Sequence, residues 1–295
     1  MGRYRGRSFI RERVHVCGEY MDTEIYPVFQ APGKRRKKCR PTSEVQARIN
    51  QRNAEKRIVR LVHANFTKRD LEVGLSFDDE HRPQSVQEAE KALAKFLRKL
   101  RSLYKGRGLE LKYIRSHAEE GDIGKRFHFH VFFSGGADRD EIEALWGNGY
   151  ANCRRLQFQK DGLVGLARYT VKSKLAYRRY SCSRNLVRPV PAEFDGRMDR
   201  AEQQRMAEKI EDGTIHQEME AMYPGYELVE AEYSRNEVNG CIYIRIFMRR
   251  KTEALTAGRQ EARAKRKRLM AEIEETAQDA GRSGANGGTE KEVHT

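Results

Sequence analysis

The sequence predicts an α+β protein with a central, mostly antiparallel sheet, flanking helices and basic, flexible ends. Apolar residues alternate with small or polar ones in two segments, Leu71–Phe77 and Phe127–Phe133, as in strands. Apolar residues recur at helical spacing over residues 85–104 and 163–180. A short glycine-bounded link, Gly121–Gly124, precedes the second strand, so we expect an antiparallel hairpin there.

The first part of the chain is expected to be a basic arm followed by a helix. Residues 1–40 read as irregular, and the run Lys34–Arg40 is expected to contact phosphates. Thr42 or Ser43 is suited to cap a helix that continues to about residue 63. The strand Leu71–Phe77 follows, with one small, polar face.

The middle of the chain alternates helices and strands. In order, we expect a helix from Ser85 to about Tyr104, a strand from Leu109 to about Glu119, the returning strand of the hairpin, a short helix from Asp138 to Trp146 and a strand from Ala151 to Phe158.

The last part of the chain is expected to add a helix, a hairpin and a charged tail. After the helix at 163–180, residues 200–221 read as helical, and Tyr226–Tyr233 with Cys241–Met248 form a hairpin around Asn239-Gly240. Residues 251–295 read as a charged helix and a disordered tail. We therefore expect one domain over residues 41–250, between two basic ends.

Composition indicates a polyanionic partner. The chain has 295 residues, a net charge of +15 and a pI near 9.6, which is typical of proteins that bind nucleic acid. No apolar run could cross a membrane and no signal peptide is evident. The five cysteines lie far apart, which favours free thiols in a reducing cytoplasm. No phosphate-binding Gly-x-x-x-x-Gly-Lys-Ser/Thr loop is present, so no fused ATPase is expected.

Two histidines in one strand form a candidate metal site. His128 and His130 are two residues apart and share one face, whereas Phe127, Phe129 and Val131 share the other. An apolar face suits packing on helices, and two adjacent imidazoles suit a divalent metal ion.

The third metal ligand is expected on the partner strand of the hairpin. Pairing across the Gly121–Gly124 turn brings residues 117–119 beside the histidines. His117 and Glu119 are expected to share a face, and Glu120 to point away unless the turn contains a bulge. We rank Glu119 first, His117 second and Glu120 third.

Tyr169 is the candidate nucleophile. It lies off the apolar stripe of the helix at 163–180, and Lys172 follows at i+3 on the same side. A phenol is a poor nucleophile at neutral pH, but a nearby ammonium group and a metal-polarised phosphate would assist its attack. An exposed Tyr beside a Lys without any function is the alternative.

These motifs in this order resemble the HUH endonuclease superfamily with a single catalytic tyrosine, and the rolling-circle replication initiators of phages and plasmids in particular. The resemblance covers roughly residues 40–250. It rests on His128-Phe129-His130, Tyr169-Thr170-Val171-Lys172, Pro41-Thr42-Ser43-Glu44 through Asn53-Ala54-Glu55, His63-Ala64-Asn65-Phe66, Asp138-Arg139-Asp140, Leu145-Trp146-Gly147 and Tyr180-Ser181-Cys182-Ser183-Arg184-Asn185-Leu186.

The resemblance implies a site and an activity. The two histidines and Glu119, which best matches the family's Glu-x-Gly, would hold one Mn²⁺ or Mg²⁺ ion. Tyr169 would be the nucleophile, assisted by Lys172. Tyr177 and Tyr180 are not expected to be a second nucleophile.

The function expected is nicking and joining of single-stranded DNA at a replication origin, through a 5′-phosphotyrosine intermediate, in a bacterial cytoplasm with a host helicase and polymerase. The alternatives are an HUH transposase or relaxase, and a non-enzymatic DNA-binding protein with a structural metal.

Overall fold

A computed structural model describes residues 8–29, 44–117, 119–120, 127–170, 180–236 and 240–251 of the chain. The strands are β1 (Ser8–Cys17), β2 (Tyr20–Phe29), β3 (Leu71–Ser76), β4 (Tyr113–Ser116), β5 (Glu119–Glu120), β6 (Phe127–Phe133), β7 (Ala151–Arg155), β8 (Tyr180–Cys182), β9 (Ala192–Asp195), β10 (Tyr226–Arg235) and β11 (Ile242–Arg250). The helices are α1 (Glu44–Asn65), α2 (Val86–Gly106), α3 (Arg139–Ala144), α4 (Val164–Thr170), α5 (Arg200–Glu211) and α6 (His216–Met222).

The α+β class and the antiparallel pairing are confirmed. One sheet has the order β7-β3-β6-β4-β8, with β5 also paired to β6, and every pair in it is antiparallel. The histidine strand β6 is central, and α2 packs on one of its faces through apolar side chains. That core covers one face of β6, and the opposite face packs through Phe132 with α1 and α4.

A second antiparallel sheet, with the order β10-β11-β2-β1-β9, was not expected. The prediction of an irregular arm was wrong for residues 8–29, which form the β1–β2 hairpin. Charged residues in β1, such as Arg11 and Arg13, make its alternation of buried and exposed positions hard to recognise in the sequence. These two arginines bind Glu193 and Asp195 of β9. The predicted C-terminal hairpin is confirmed as β10–β11.

Other helix boundaries in the structure differ from the predicted ones, as two cases illustrate. The helix expected over residues 200–221 is split into α5 and α6 at Gly213, whose φ of 72° is strained for other residues. The helix expected to reach Tyr180 is described as far as Thr170, and Tyr180 itself begins β8. The arm residues 34–40 and the charged segment 252–295 lie outside the described residues.

Helix α1 joins the two sheets. Its apolar side packs with Phe132 of β6, Phe247 of β11 and the apolar side of α4. On its other side, Arg60 binds the fully buried Asp22 of β2, which Arg245 also contacts. Burial alone would raise the pKa of Asp22, but the two guanidinium groups outweigh it and hold the pKa below its usual value.

A buried histidine sets the start of α4, the helix that carries Tyr169. His63 Nδ1 bonds the carbonyl oxygen of Val59 at 2.8 Å, and His63 Nε2 accepts the backbone N–H of Leu163 at 2.9 Å. Gly162 has a φ of 71°, and a Cβ there would lie 2.3 Å from His63 Nε2. This contact therefore requires both a neutral imidazole and a glycine.

Stability is expected to fall between pH 6.5 and 4 because of His63. Burial lowers its pKa to about 4, whereas the unfolded chain protonates near pH 6.5. The unfolded state thus holds the extra proton in this window, so stability rises with pH across it, by about 3 kcal/mol in total. Urea unfolding at a series of pH values should show this slope, and His63→Gln should flatten it. Identical slopes would contradict the assignment.

Candidate metal and nucleophile site

The alternation predicted for β6 is confirmed. Phe127, Phe129 and Val131 are buried against the α2 side, together with Phe133, while His128 and His130 are partly exposed on the opposite face. Further along that face, Phe132 is covered by the core shared with α1 and α4. The two imidazoles therefore lie just beyond the covered part of the sheet.

Small residues on β3 keep the floor of the site open. Gly74 pairs with His130, and Ser76 pairs with His128. A Cβ at Gly74 would meet no atom within 4 Å. The surface at Gly74, beside His130, is thus open.

A buried carboxylate orients His130. Glu72 on β3 is 2% exposed; its Oε1 lies 2.9 Å from His130 Nδ1, and its Oε2 lies 3.1 Å from Arg154 Nε. Burial alone would raise the pKa of Glu72, but hydrogen bonds from His130 and Arg154 outweigh it and lower the pKa. An ionised carboxylate only accepts hydrogen bonds, so Nδ1 of His130 is the donor, which leaves Nε2 as the nitrogen that the neutral ring would offer to a metal ion.

Tyr169 lies over the histidine pair. Its Oη is 3.5 Å from His128 Nε2, and its ring stands perpendicular to the ring of His130 with centroids 5.0 Å apart. The residue is 40% exposed although its helix neighbours Ala167 and Thr170 are buried. The phenol oxygen is thus close to an imidazole, on a side chain that is partly open to solvent.

The backbone register separates the three candidates for a third ligand. Glu119 of β5 pairs with His128, and Glu120 pairs with Phe127. Arg115 of β4 pairs with Val131, so the register shifts by one residue between β4 and β5. The expectation that residues 117 and 119 share a face is wrong because of this shift.

His117 makes its contacts away from the histidine pair. Its Nδ1 lies 3.1 Å from Glu90 Oε1 on α2, and its Nε2 lies 3.3 Å from Ser181 Oγ. Glu90 also binds Arg115, whose paired residue Val131 faces α2. Glu119 thus remains the first-ranked candidate on register, although its side chain lies outside the described atoms.

The site suits a divalent ion in its donor set. A ring nitrogen binds such an ion at about 2.1 Å, so two perpendicular rings with centroids 5.7 Å apart can reach a common ion. Among the described residues, no three or more His, Cys, Asp or Glu side chains are grouped so that they could hold a metal. Lys172 and Tyr177 also lie outside the described part of the chain. Tyr180 packs into the core of α1 and α4, and burial raises its pKa.

Comparison with models of protein families, with curated proteins and with solved structures found no match. In the part of the chain that the structure describes, every helix is too short or too polar to cross a bilayer.

Sequence reasoning missed Glu72 and Arg154. The available signal was one acidic residue inside the apolar strand Leu71–Leu75, on the same face as Gly74 and Ser76. Only the register with β6 shows that this face carries the histidines.

Replacing Glu72 with glutamine is expected to weaken Mn²⁺ binding about 10- to 100-fold, the usual effect of losing a carboxylate that orients a ligand histidine. Calorimetric titration measures this directly. Glu90→Gln is a matched control, since Glu90 also binds one histidine and one arginine, but on the other face of the sheet. Equal losses in both variants would indicate a general structural effect instead.

Proposed function

We propose that the chain is a metal-dependent enzyme of the HUH type that nicks and rejoins single-stranded DNA at a replication origin to initiate rolling-circle replication. One observation carries the proposal: the Tyr169 phenol oxygen lies 3.5 Å from His128 Nε2, with its ring against His130. Tyr169 and this pair are about forty residues apart in sequence, so their meeting depends on the fold.

The proposed chemistry is a transesterification. Tyr169 Oη attacks the scissile phosphorus, a phosphotyrosine bond forms to the 5′ end, and the bond to the 3′ oxygen breaks. The phenol gives up its proton and the leaving oxygen gains one, which yields a 3′ hydroxyl that can prime synthesis. Because the ester retains the phosphodiester energy, the reverse reaction rejoins ends without a nucleotide cofactor.

The remaining groups have supporting roles in this proposal. His128, His130 and Glu119 would hold Mn²⁺ or Mg²⁺, and Glu72 fixes the ring of His130 for that purpose. When bound, the ion supplies Lewis-acid stabilisation of charge on the phosphate oxygens. Lys172 is proposed to assist the phenol or the transition-state charge.

Solvent access favours catalysis over a purely structural metal. Structural metal sites are usually closed, whereas catalytic ones keep an open position. Here the floor at Gly74 is open and Tyr169 is 40% exposed. The net charge of +15 is consistent with a DNA substrate.

The test is to incubate the full-length protein with labelled single strands from candidate origin regions, with Mn²⁺ or with EDTA, and to resolve the products under denaturing conditions. We expect a metal-dependent covalent adduct and a free strand with a 3′ hydroxyl. Binding without any adduct would favour the non-enzymatic alternative. Sequencing the cut strands would distinguish an origin nickase from a transposase or relaxase.

A further inference from the structure

The outward side of β7 (Ala151–Arg155), together with Tyr150 just before it, carries three exposed side chains, of which Arg154 also pairs with Glu72. Ala151 and Cys153 of this strand point into the α2 core. Tyr150, Asn152 and Arg154 alternate with them and are exposed, and Tyr150 is 69% exposed. An aromatic, an amide and a guanidinium group thus line one edge of the sheet.

The sheet register places this edge beside the histidine pair. Asn152 pairs with Gly74, which pairs with His130; Arg154 pairs with Glu72. Tyr150 exchanges both backbone hydrogen bonds with Ser76, which pairs with His128. Since neighbouring strands are about 4.8 Å apart, Tyr150 lies about 10 Å across the sheet from His128. The β3 residue between them is Ser76, which has a small side chain.

The backbone at Tyr150 is held rigidly. Its N–H and C=O bond Ser76 at 3.1 and 2.9 Å. Gly149 has a φ of 130°, and a Cβ there would lie 2.3 Å from the backbone nitrogen of Asp78. A fixed backbone with an exposed ring is a suitable platform for stacking.

Beyond Arg154 the surface continues into a cavity of about 440 Å³. Its lining includes Glu72, Arg154 and, from α4, Gly165 and Leu166. These two residues are four and three positions before Tyr169, so they lie one turn earlier on the same side of the helix. The exposed strip and the cavity therefore border the proposed reaction centre.

We infer that this outward face of β7 binds the nucleotides that flank the scissile phosphate, with Tyr150 stacking on an unpaired base, Asn152 contacting a base edge and Arg154 contacting a phosphate. Aromatic stacking beside cationic side chains is how single strands are bound without base pairing. The inference rests on the proposed function for the identity of the strand, but it concerns binding and is tested without catalysis.

The test measures the affinity of the full-length protein for a short fluorescein-labelled strand of mixed sequence, in EDTA so that no cleavage occurs. Tyr150→Leu should weaken binding about 5- to 150-fold, the range for one lost stacking contact. Tyr150→Phe keeps the ring and should restore the affinity. Binding of a duplex of the same sequence should not change, because its bases are already stacked.

Two further variants distinguish the loss of a stacking contact from the loss of a charge and from a general effect on the folded protein. Arg154→Gln should reduce the salt dependence of binding by about one phosphate contact, whereas Tyr150→Leu should leave the salt slope unchanged. Tyr243→Leu, at another exposed tyrosine on the second sheet, should bind like the unaltered protein.

The outcomes for binding and for catalysis are distinct. If Tyr150→Leu binds single strands as tightly as the unaltered protein, or weakens single-strand and duplex binding equally, the inference is overturned whatever the adduct assay shows. If no adduct forms on any strand but binding depends on the Tyr150 ring, the proposed nicking activity fails and the inference stands.

Discussion

Replacing Tyr169 with phenylalanine is expected to abolish the covalent protein–DNA product and to leave single-strand affinity nearly unchanged. The substitution removes only the Oη atom, which lies 3.5 Å from His128 Nε2, and keeps the ring that packs against His130. The proposed nucleophilic oxygen is then missing, so the loss should reach the detection limit of the denaturing-gel assay.

Tyr243→Phe provides the matched control, since Tyr243 is 39% exposed compared with 40% for Tyr169 but lies on β11 of the second sheet. It should form the adduct at the normal rate. An adduct that persists in Tyr169→Phe would move the nucleophile elsewhere, with Tyr177 or Tyr180 the first to examine.

The second large effect is expected at the histidines. His128→Ala and His130→Ala should each weaken Mn²⁺ binding by more than about 100-fold, which is a larger loss than that expected from removing a residue that only orients a ligand. Both variants should also abolish nicking. Calorimetry and the adduct assay measure the two losses. His81→Ala is the control, because His81 is exposed and its imidazole pairs with the nearby Asp78, away from β6.

The two histidine variants should differ in stability. Removing His130 leaves the buried Glu72 with Arg154 as its remaining charged partner, and an incompletely paired buried charge is costly. His130→Ala should therefore lower the melting temperature more than His128→Ala. Unchanged Mn²⁺ affinity in both variants would refute the metal site.

Much of the histidine sheet could be predicted because its patterns are local. The alternation in β6 and the apolar stripe of α2 each follow from residues close in sequence. The helix expected from Ser85 begins at Val86, and Ser85 is its cap, since Ser85 Oγ accepts the N–H of Glu88. The position of Tyr169 off the apolar stripe correctly indicated an exposed side chain.

What could not be predicted depends on pairing between distant segments. The charged residues of β1 pair with those of β9, a strand more than 170 residues later in the chain. Without knowledge of that pairing, the sequence of β1 looks like a solvated arm. Likewise, the contact between Glu72 and His130 depends on the register in which β3 pairs with β6. The shift between β4 and β5 could not be foreseen either, since parity arguments assume an unbroken ladder.

Tyr169 is proposed to form a covalent bond to DNA in a metal-dependent reaction. The most direct measurement is to trap the adduct with Mn²⁺, digest the DNA and the protein, and identify the modified peptide by tandem mass spectrometry. We predict one modified residue, Tyr169, linked to a 5′ phosphate, and no modification in EDTA. A nucleotide on a different residue, or a tightly bound strand with no covalent product under any metal condition, would contradict the account.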